Sequence, residues 1–388
     1  MIKFLILLLL PAVIYAQDLS STTKIAFEHY ENGNCLEALP LFESMLKDRA
    51  IKDDYSLRYS VNYYAGYCAK NLGEFDRAAL YFETALRLLL DYSQRSVLYT
   101  FLGEVERERQ SYTKAIEYYR KALKHIPEAG ADKATLLYLL AEAERLNKNY
   151  NAAVTNCERS LEIARRLNIV KLEVVCTTSI GESYYDQKNY LLAIKNFTQS
   201  LNMAQNAQLP IDMANNHLGL ALVHRDMERY ELAQRNFDEA LRLYMAGLNA
   251  QNVAFIAGNL IELPACTPTE AEKRLEVYQE QMGVLEGISD EETLLAMQML
   301  LAHYQELSGG YAQVVDSYRN IIEVAVNGGY YEAAADASIA LADLQCRVNY
   351  CYGATEILKT AQRYPYQRDA SKYNKLIRTE LQRIEKGS

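Results

Sequence analysis

Tryptophan is absent from the sequence, and proline occurs only seven times in 388 residues. With so few breakers, long stretches are free to form uninterrupted helix. No segment beyond the first twenty residues approaches 18 consecutive apolar residues, so no further membrane span is expected and the mature chain should be soluble. Lysine and arginine number 41 against 50 aspartates and glutamates, and they form no basic run. Such a chain is poorly suited to nucleic acid, where neutralising phosphates supplies most of the affinity. There is no CxxC, HExxH, GxSxG or phosphate-loop pattern. The five histidines are scattered. His217 and His224, seven apart, fall on the packing side of one helix and read as core residues. No catalytic constellation, cofactor site or metal site emerges, and the chain reads as non-enzymatic.

What the sequence does contain is a period. In "SYTKAIEYYRKALKHIP" the residues Tyr112, Ala115, Tyr119, Ala122 and Pro127 stand at helical spacing. The same ladder recurs as Tyr150, Ala153, Cys157, Ser160; as Tyr190, Ala193, Phe197, Ser200; and as Tyr230, Ala233, Phe237, Ala240. Upstream it reads Phe75, Ala78, Phe82, Ala85 and Cys35, Ala38, Phe42, Met45. The small anchors Ala38, Ala78, Ala115, Ala153, Ala193 and Ala233 are spaced by 40, 37, 38, 40 and 40 residues. A fixed period of this size predicts stacked helical units. About twelve residues before each anchor stands a second small residue: Ala65-Gly66, Gly103, Ala141, Gly181 and Ala221. Each unit is therefore a helix A, a turn and a helix B, with the small residue of A admitting a close crossing. The extra length over a shorter repeat lies in the helices or in the links.

The order Leu-Gly, Tyr, Ala, aromatic, Ala, Pro resembles the tetratricopeptide repeat, whose usual period is shorter. The resemblance covers roughly residues 19 to 365 and implies an all-α, right-handed α-solenoid of about nine repeats. Residues 17–244 carry repeats one to six. Residues 245–290 read as a divergent repeat with a broken turn between Pro264 and Pro268. Residues 291–365 hold repeats eight and nine, and 366–388 a C-terminal capping helix over the last apolar face.

The first residues, "MIKFLILLLLPAVIYAQ", form one Lys, an apolar run and a small-residue cleavage position after Ala16. This reads as a secretory signal peptide over 1–16, although Ile14 is larger than the preferred residue there. Its style resembles leaders of the Bacteroides group. A periplasmic or secreted protein is expected, and in such a compartment disulfides are permitted. In the repeat register, Cys346 faces Cys351 across a turn. Cys35 approaches Cys68, and Cys157 approaches Cys176, on successive helices. The alternative is that these cysteines are small core residues.

The resemblance also implies a peptide groove along helix A. Directly after the small residue stand Tyr67, Glu104, Glu142, Glu182 and Leu222. Four residues earlier stand Tyr63, Thr100, Tyr138, Thr178 and Leu218, and three later Lys70, Arg107, Arg145, Tyr185 and Arg225. Three glutamates on one rung invite a cationic segment, with tyrosines supplying apolar area. The plainer reading is a set of solvated Glu/Arg pairs. The leading functional reading is an exported, non-catalytic scaffold that binds a partner protein or peptide. The alternative is a periplasmic sensory or regulatory module acting through a separate membrane partner.

Overall fold

A computed structural model describes residues 21–89, 94–126, 130–247, 249–285 and 290–387. The leader at 1–16 and Pro127 lie outside the described residues. The first helices are α1 (Ser21–Glu31), α2 (Cys35–Lys47), α3 (Arg49–Asp53), α4 (Tyr55–Asn71), α5 (Phe75–Leu88), α6 (Arg95–Glu108), α7 (Tyr112–Leu123), α8 (Ala131–Leu146), α9 (Tyr150–Arg166) and α10 (Val170–Asp186). After them come α11 (Tyr190–Asn206), α12 (Pro210–Asp226), α13 (Tyr230–Ala246), α14 (Ala250–Ile261), α15 (Pro268–Leu285), α16 (Glu291–Leu307), α17 (Tyr311–Gly328), α18 (Tyr331–Arg347), α19 (Cys351–Ala361) and α20 (Ala370–Gly387). No strand occurs among the described residues. The A helices are α1, α4, α6, α8, α10, α12, α14, α16 and α18; the B helices are α2, α5, α7, α9, α11, α13, α15, α17 and α19. The chain divides into two compact units, one ending at Asn189 and one starting at Tyr190. Within each, consecutive helices pack on one another, except α14 and α15, which pack instead on their neighbours.

The forty-residue period has a simple origin. Helices α9 to α13 each run 17 residues, joined by three-residue turns such as 147–149, 167–169 and 207–209. The added length therefore lies in the helices. Each turn ends its helix in the same way. At the end of α8, the Lys148 N–H donates to the Arg145 carbonyl and the Asn149 N–H to the Glu144 carbonyl, both at 2.8 Å. That closure needs a left-handed residue in the middle position. Lys148, Asn168, Lys188, Gln208 and Glu228 supply it with φ between 52° and 63°. Gly309 and Gly329 serve the same purpose without steric cost.

Packing follows the small anchors. Ala38, Ala78, Ala115, Ala153, Ala193 and Ala233 are all fully buried. The aromatic of helix B packs directly against the glycine of its helix A. A Cβ at Gly66 would come within 2.8 Å of the Phe82 ring, and one at Gly103 within 2.5 Å of Tyr119. Gly219 plays the same part for Phe197 of the preceding helix B, at 2.7 Å. A methyl group there would push the helix axes apart.

Residues 245–290 form the pair α14 and α15, with a different construction. Both helices pack on α13 and α16. The N-terminus of α15 carries a capping box: the Thr267 N–H donates to Glu270 at 3.1 Å, the Glu270 N–H donates back to Thr267 Oγ1 at 3.4 Å, and Pro268 takes the first helical position. The last helix, α20, lays Tyr373, Ile377 and Ile384 against the final pair and turns its basic residues outward.

The Gly103→Ala variant should lose about 1–3 kcal/mol of stability through overpacking against Tyr119. Gly258→Ala, where a Cβ meets nothing within 4 Å, should instead gain up to about 1 kcal/mol from helix propensity. Urea or thermal unfolding followed by circular dichroism checks both signs.

Candidate functional site

The helix A faces of the first unit carry most of the residues named from sequence. Their placement depends on the rung. Tyr67, Glu104, Arg107, Tyr138, Glu142, Arg145, Glu182 and Tyr185 are half-buried, with one side reachable from solvent. Tyr63 and Thr178 are different: they are 7% and 8% exposed. Tyr63 packs edge-on against Tyr64, Phe82 and Phe101, while Thr178 turns its hydroxyl back to the Val174 carbonyl at 3.1 Å. Both are core residues and not groove contacts. In the second unit Arg225 is half-buried, donates to Asn259 of α14 and pairs with Asp226 at 2.9 Å.

The glutamates are not a bare acidic row, because the chain supplies counter-charges from neighbouring A helices. Lys70 of α4 meets Glu104 of α6 at 2.7 Å, and its ammonium also lies 5.4 Å from the Phe101 ring and 5.7 Å from Tyr67. Arg107 draws on Glu108 at 2.7 Å. Arg145 of α8 pairs with Glu142 at 3.2 Å, then reaches across to Glu182 at 3.2 Å and Asp186 at 3.1 Å on α10. The Ser179 hydroxyl donates to Glu142 from below. The second unit repeats the device with other residues: Arg347 of α18 pairs with Glu306 of α16 and, at 3.0 Å, with Asp343, which in turn binds Arg383 of α20.

At Arg145 one guanidinium faces three carboxylates, so this cluster keeps an excess of negative charge. Burial first, and then the Glu142 carboxylate, push Glu182 up from an ordinary 4.5 to about 7, with Arg145 opposing. The Tyr138 hydroxyl, buried beside Glu142 and Glu182, is held above its usual range by burial and these charges.

Sequence reasoning missed a second polar cluster, in the second unit. Gln234 is 3% exposed and lies at the junction of α13, α15 and α16. It accepts from Arg274 at 3.0 Å and from Tyr304 at 3.2 Å, and donates to Tyr278 and Asp238 at 3.0 Å. Tyr278 closes the ring by donating to Asp238 at 2.6 Å. Every member is satisfied within the cluster, which fits a structural role at the irregular repeat. Its only sequence signal is Gln234 on the packing side of α13. The two histidines read as core residues differ: His224 is buried with its pKa lowered by burial and Arg229, while His217 is half-buried and hydrogen-bonded to Asn236 at 3.0 Å. Of the seven cysteines, Cys35, Cys68, Cys157 and Cys176 are buried, and Cys266, Cys346 and Cys351 are half-buried.

The charge cluster has a pH signature. A carboxyl whose folded pKa lies above its unfolded one holds a proton in the folded state that the unfolded chain has released. Stability from Glu182 is therefore present below about pH 4.5 and is lost as pH rises towards about 7. Carboxyl NMR should place the Glu182 midpoint well above that of an ordinary glutamate. Glu142→Gln should lower it, and Glu182→Gln should flatten the stability slope in this window. Because the Glu182 side chain retains 38% exposure, added salt should shrink the shift.

Two family models, both described as tetratricopeptide repeat, match the sequence. One matches residues 24–92, and the other matches 94–166, 132–206 and 173–246. Among solved structures, the apo form of RapI is 16% identical, covers 95% of this chain and 99% of its own, and superposes with a TM-score of 0.53. Aspartyl phosphate phosphatase F from Bacillus subtilis is 14% identical over 91% of this chain and 96% of its own, with a TM-score of 0.48. A Rap protein complexed with competence and sporulation factor is 15% identical over 84% and 97%, with a TM-score of 0.47. No curated protein matches the sequence. At these identities the likeness to RapI is one of fold alone. The family matches together span more than half of the chain, and their limits fall on the paired helices α1 to α13. The chain belongs to the tetratricopeptide repeat family.

Proposed function

We propose that this chain is an exported, non-catalytic scaffold that holds a basic segment of a partner protein along the helix A face of its first unit. The fold class fits an interaction scaffold, because paired helices present repeated side chains at fixed intervals. The observation that carries the reading is the Arg145 cluster, where three carboxylates share one guanidinium on a half-exposed face. A lysine or arginine of the partner would relieve the excess charge. Tyr67 and Tyr185, half-buried on the same rungs, would supply rigid apolar area at low entropy cost. Export rests on the leader pattern at 1–16, and no described helix is long and apolar enough to cross a membrane.

Two measurements test this. Terminal sequencing of the protein from its native cells should find Gln17 first; an intact Met1 would remove the export half of the proposal. Photo-crosslinking residues placed at Tyr67 and Tyr185 should trap the partner, whereas one at Leu80, exposed on helix B, should not. Converting Glu142 and Glu182 to Gln should weaken capture about tenfold or more and reduce its salt sensitivity, with helicity unchanged. Equal capture by the double variant would sink the charge reading.

A further inference from the structure

Cysteine occupies an anchor position of helix B in three repeats. Cys35 and Cys351 open α2 and α19 where the other regular B helices open with Tyr or Phe, and Cys157 stands where α5, α7, α11 and α13 carry an aromatic. In each case a second thiol stands opposite. Cys35 shares one buried apolar cluster with Cys68 of the next helix A, Cys157 shares another with Cys176 of the next helix A, and Cys346 and Cys351 pack against a third from the two sides of their turn. Further contacts fix each site. Asn71 donates to Cys35 Sγ at 3.8 Å, Cys176 Sγ lies 3.2 Å from Ser160 Oγ, and Cys351 Sγ lies 4.0 Å from the Cys346 carbonyl oxygen. Losing an aromatic anchor costs buried area at the crossing, and a covalent bond between the same helices offsets that loss.

We infer that these six thiols are three disulfide sites, Cys35–Cys68, Cys157–Cys176 and Cys346–Cys351, formed by exchange with a small-molecule or protein disulfide, and that Cys266 remains the odd thiol. In each exchange one thiolate attacks the oxidant's disulfide and expels one thiolate. Its neighbour then attacks the protein sulfur of the mixed disulfide and expels the second. Two protons leave, the pair gives up two electrons and the oxidant is reduced to two thiols. In the cell this rests on the export proposed above, because a reducing cytosol would keep the thiols.

Burial sets the order. Cys68, Cys157 and Cys176 are fully buried and Cys35 is 6% exposed, whereas Cys346 and Cys351 are half-buried. An oxidant reaches only the last pair in the folded chain. Either thiol of that pair can attack, and its neighbour five residues away resolves the mixed disulfide. The other two pairs close while the repeats assemble.

The test uses oxidised glutathione and the purified, reduced protein, so it does not depend on where the protein resides. Each cysteine falls on its own tryptic peptide, with Arg347 separating Cys346 from Cys351. Digestion after alkylation, without reduction, should first show the Cys346–Cys351 link in the native protein. Refolding from denaturant in the same reagent should add the other two links and leave Cys266 alkylated. Cys351→Ser should abolish the native link and leave no other cysteine joined to Cys346. Links involving Cys266, exchanged partners after refolding, or glutathione adducts persisting at Cys346 and Cys351 would overturn the assignment. So would a native protein whose six thiols stay reduced after refolding.

Discussion

Everything else in the chain depends on how closely helix B can lie on helix A. The aromatic rings of Phe82 and Tyr119 rest on Gly66 and Gly103 with no room for a methyl group. That contact fixes the distance between axes, and with it the rung on which each outward side chain stands. Dispersion between a flat ring and bare backbone is available only at this separation, and it falls steeply if the helices part. The six buried alanines hold the same spacing from the helix B side.

The polar ladder is a consequence of that spacing. Arg145 spans from α8 to Glu182 and Asp186 on α10, and Lys70 spans from α4 to Glu104 on α6. Such reaches succeed because successive A helices lie at one fixed offset. The charges in turn discourage slippage, since a shift of one residue rotates a rung by about 100° and separates the partners. In the second unit the same geometry carries Glu306, Arg347, Asp343 and Arg383. Different residues fill an identical frame.

The repeat frame was legible because small residues at fixed intervals have few physical explanations. Tyr112, Tyr150, Tyr190 and Tyr230, which begin their ladders, are the first residues of their helices. The candidate face was less legible. A position four residues before a half-exposed rung lies about 40° further round the helix. On α4 and α10 this rotation carries Tyr63 and Thr178 into the core. The pairing of Glu104 and Glu182 was hidden because their counter-charges, Lys70 and Arg145, come from the preceding helix A, whereas Glu142 meets Arg145 on its own helix. The ring around Gln234 was hidden for a similar reason: α14 and α15 leave the regular pairing, and no period describes them.

The uniform turn has a bearing on how such a chain can change length. Joints such as 147–149 and 167–169, one within a repeat and one between repeats, close with the same hydrogen bonds and the same left-handed middle residue. Locally, then, nothing distinguishes these two joints, although one lies inside a repeat and the other between repeats. Direction does distinguish them, because each turn reverses the chain. Gain or loss of one seventeen-residue helix with its turn would send every later helix the opposite way and set A faces where B faces belong. Gain or loss of two would leave every later contact intact. Duplication and deletion in this architecture are therefore confined by geometry to even numbers of helices, and the forty-residue step is the smallest change of length that the stack can absorb.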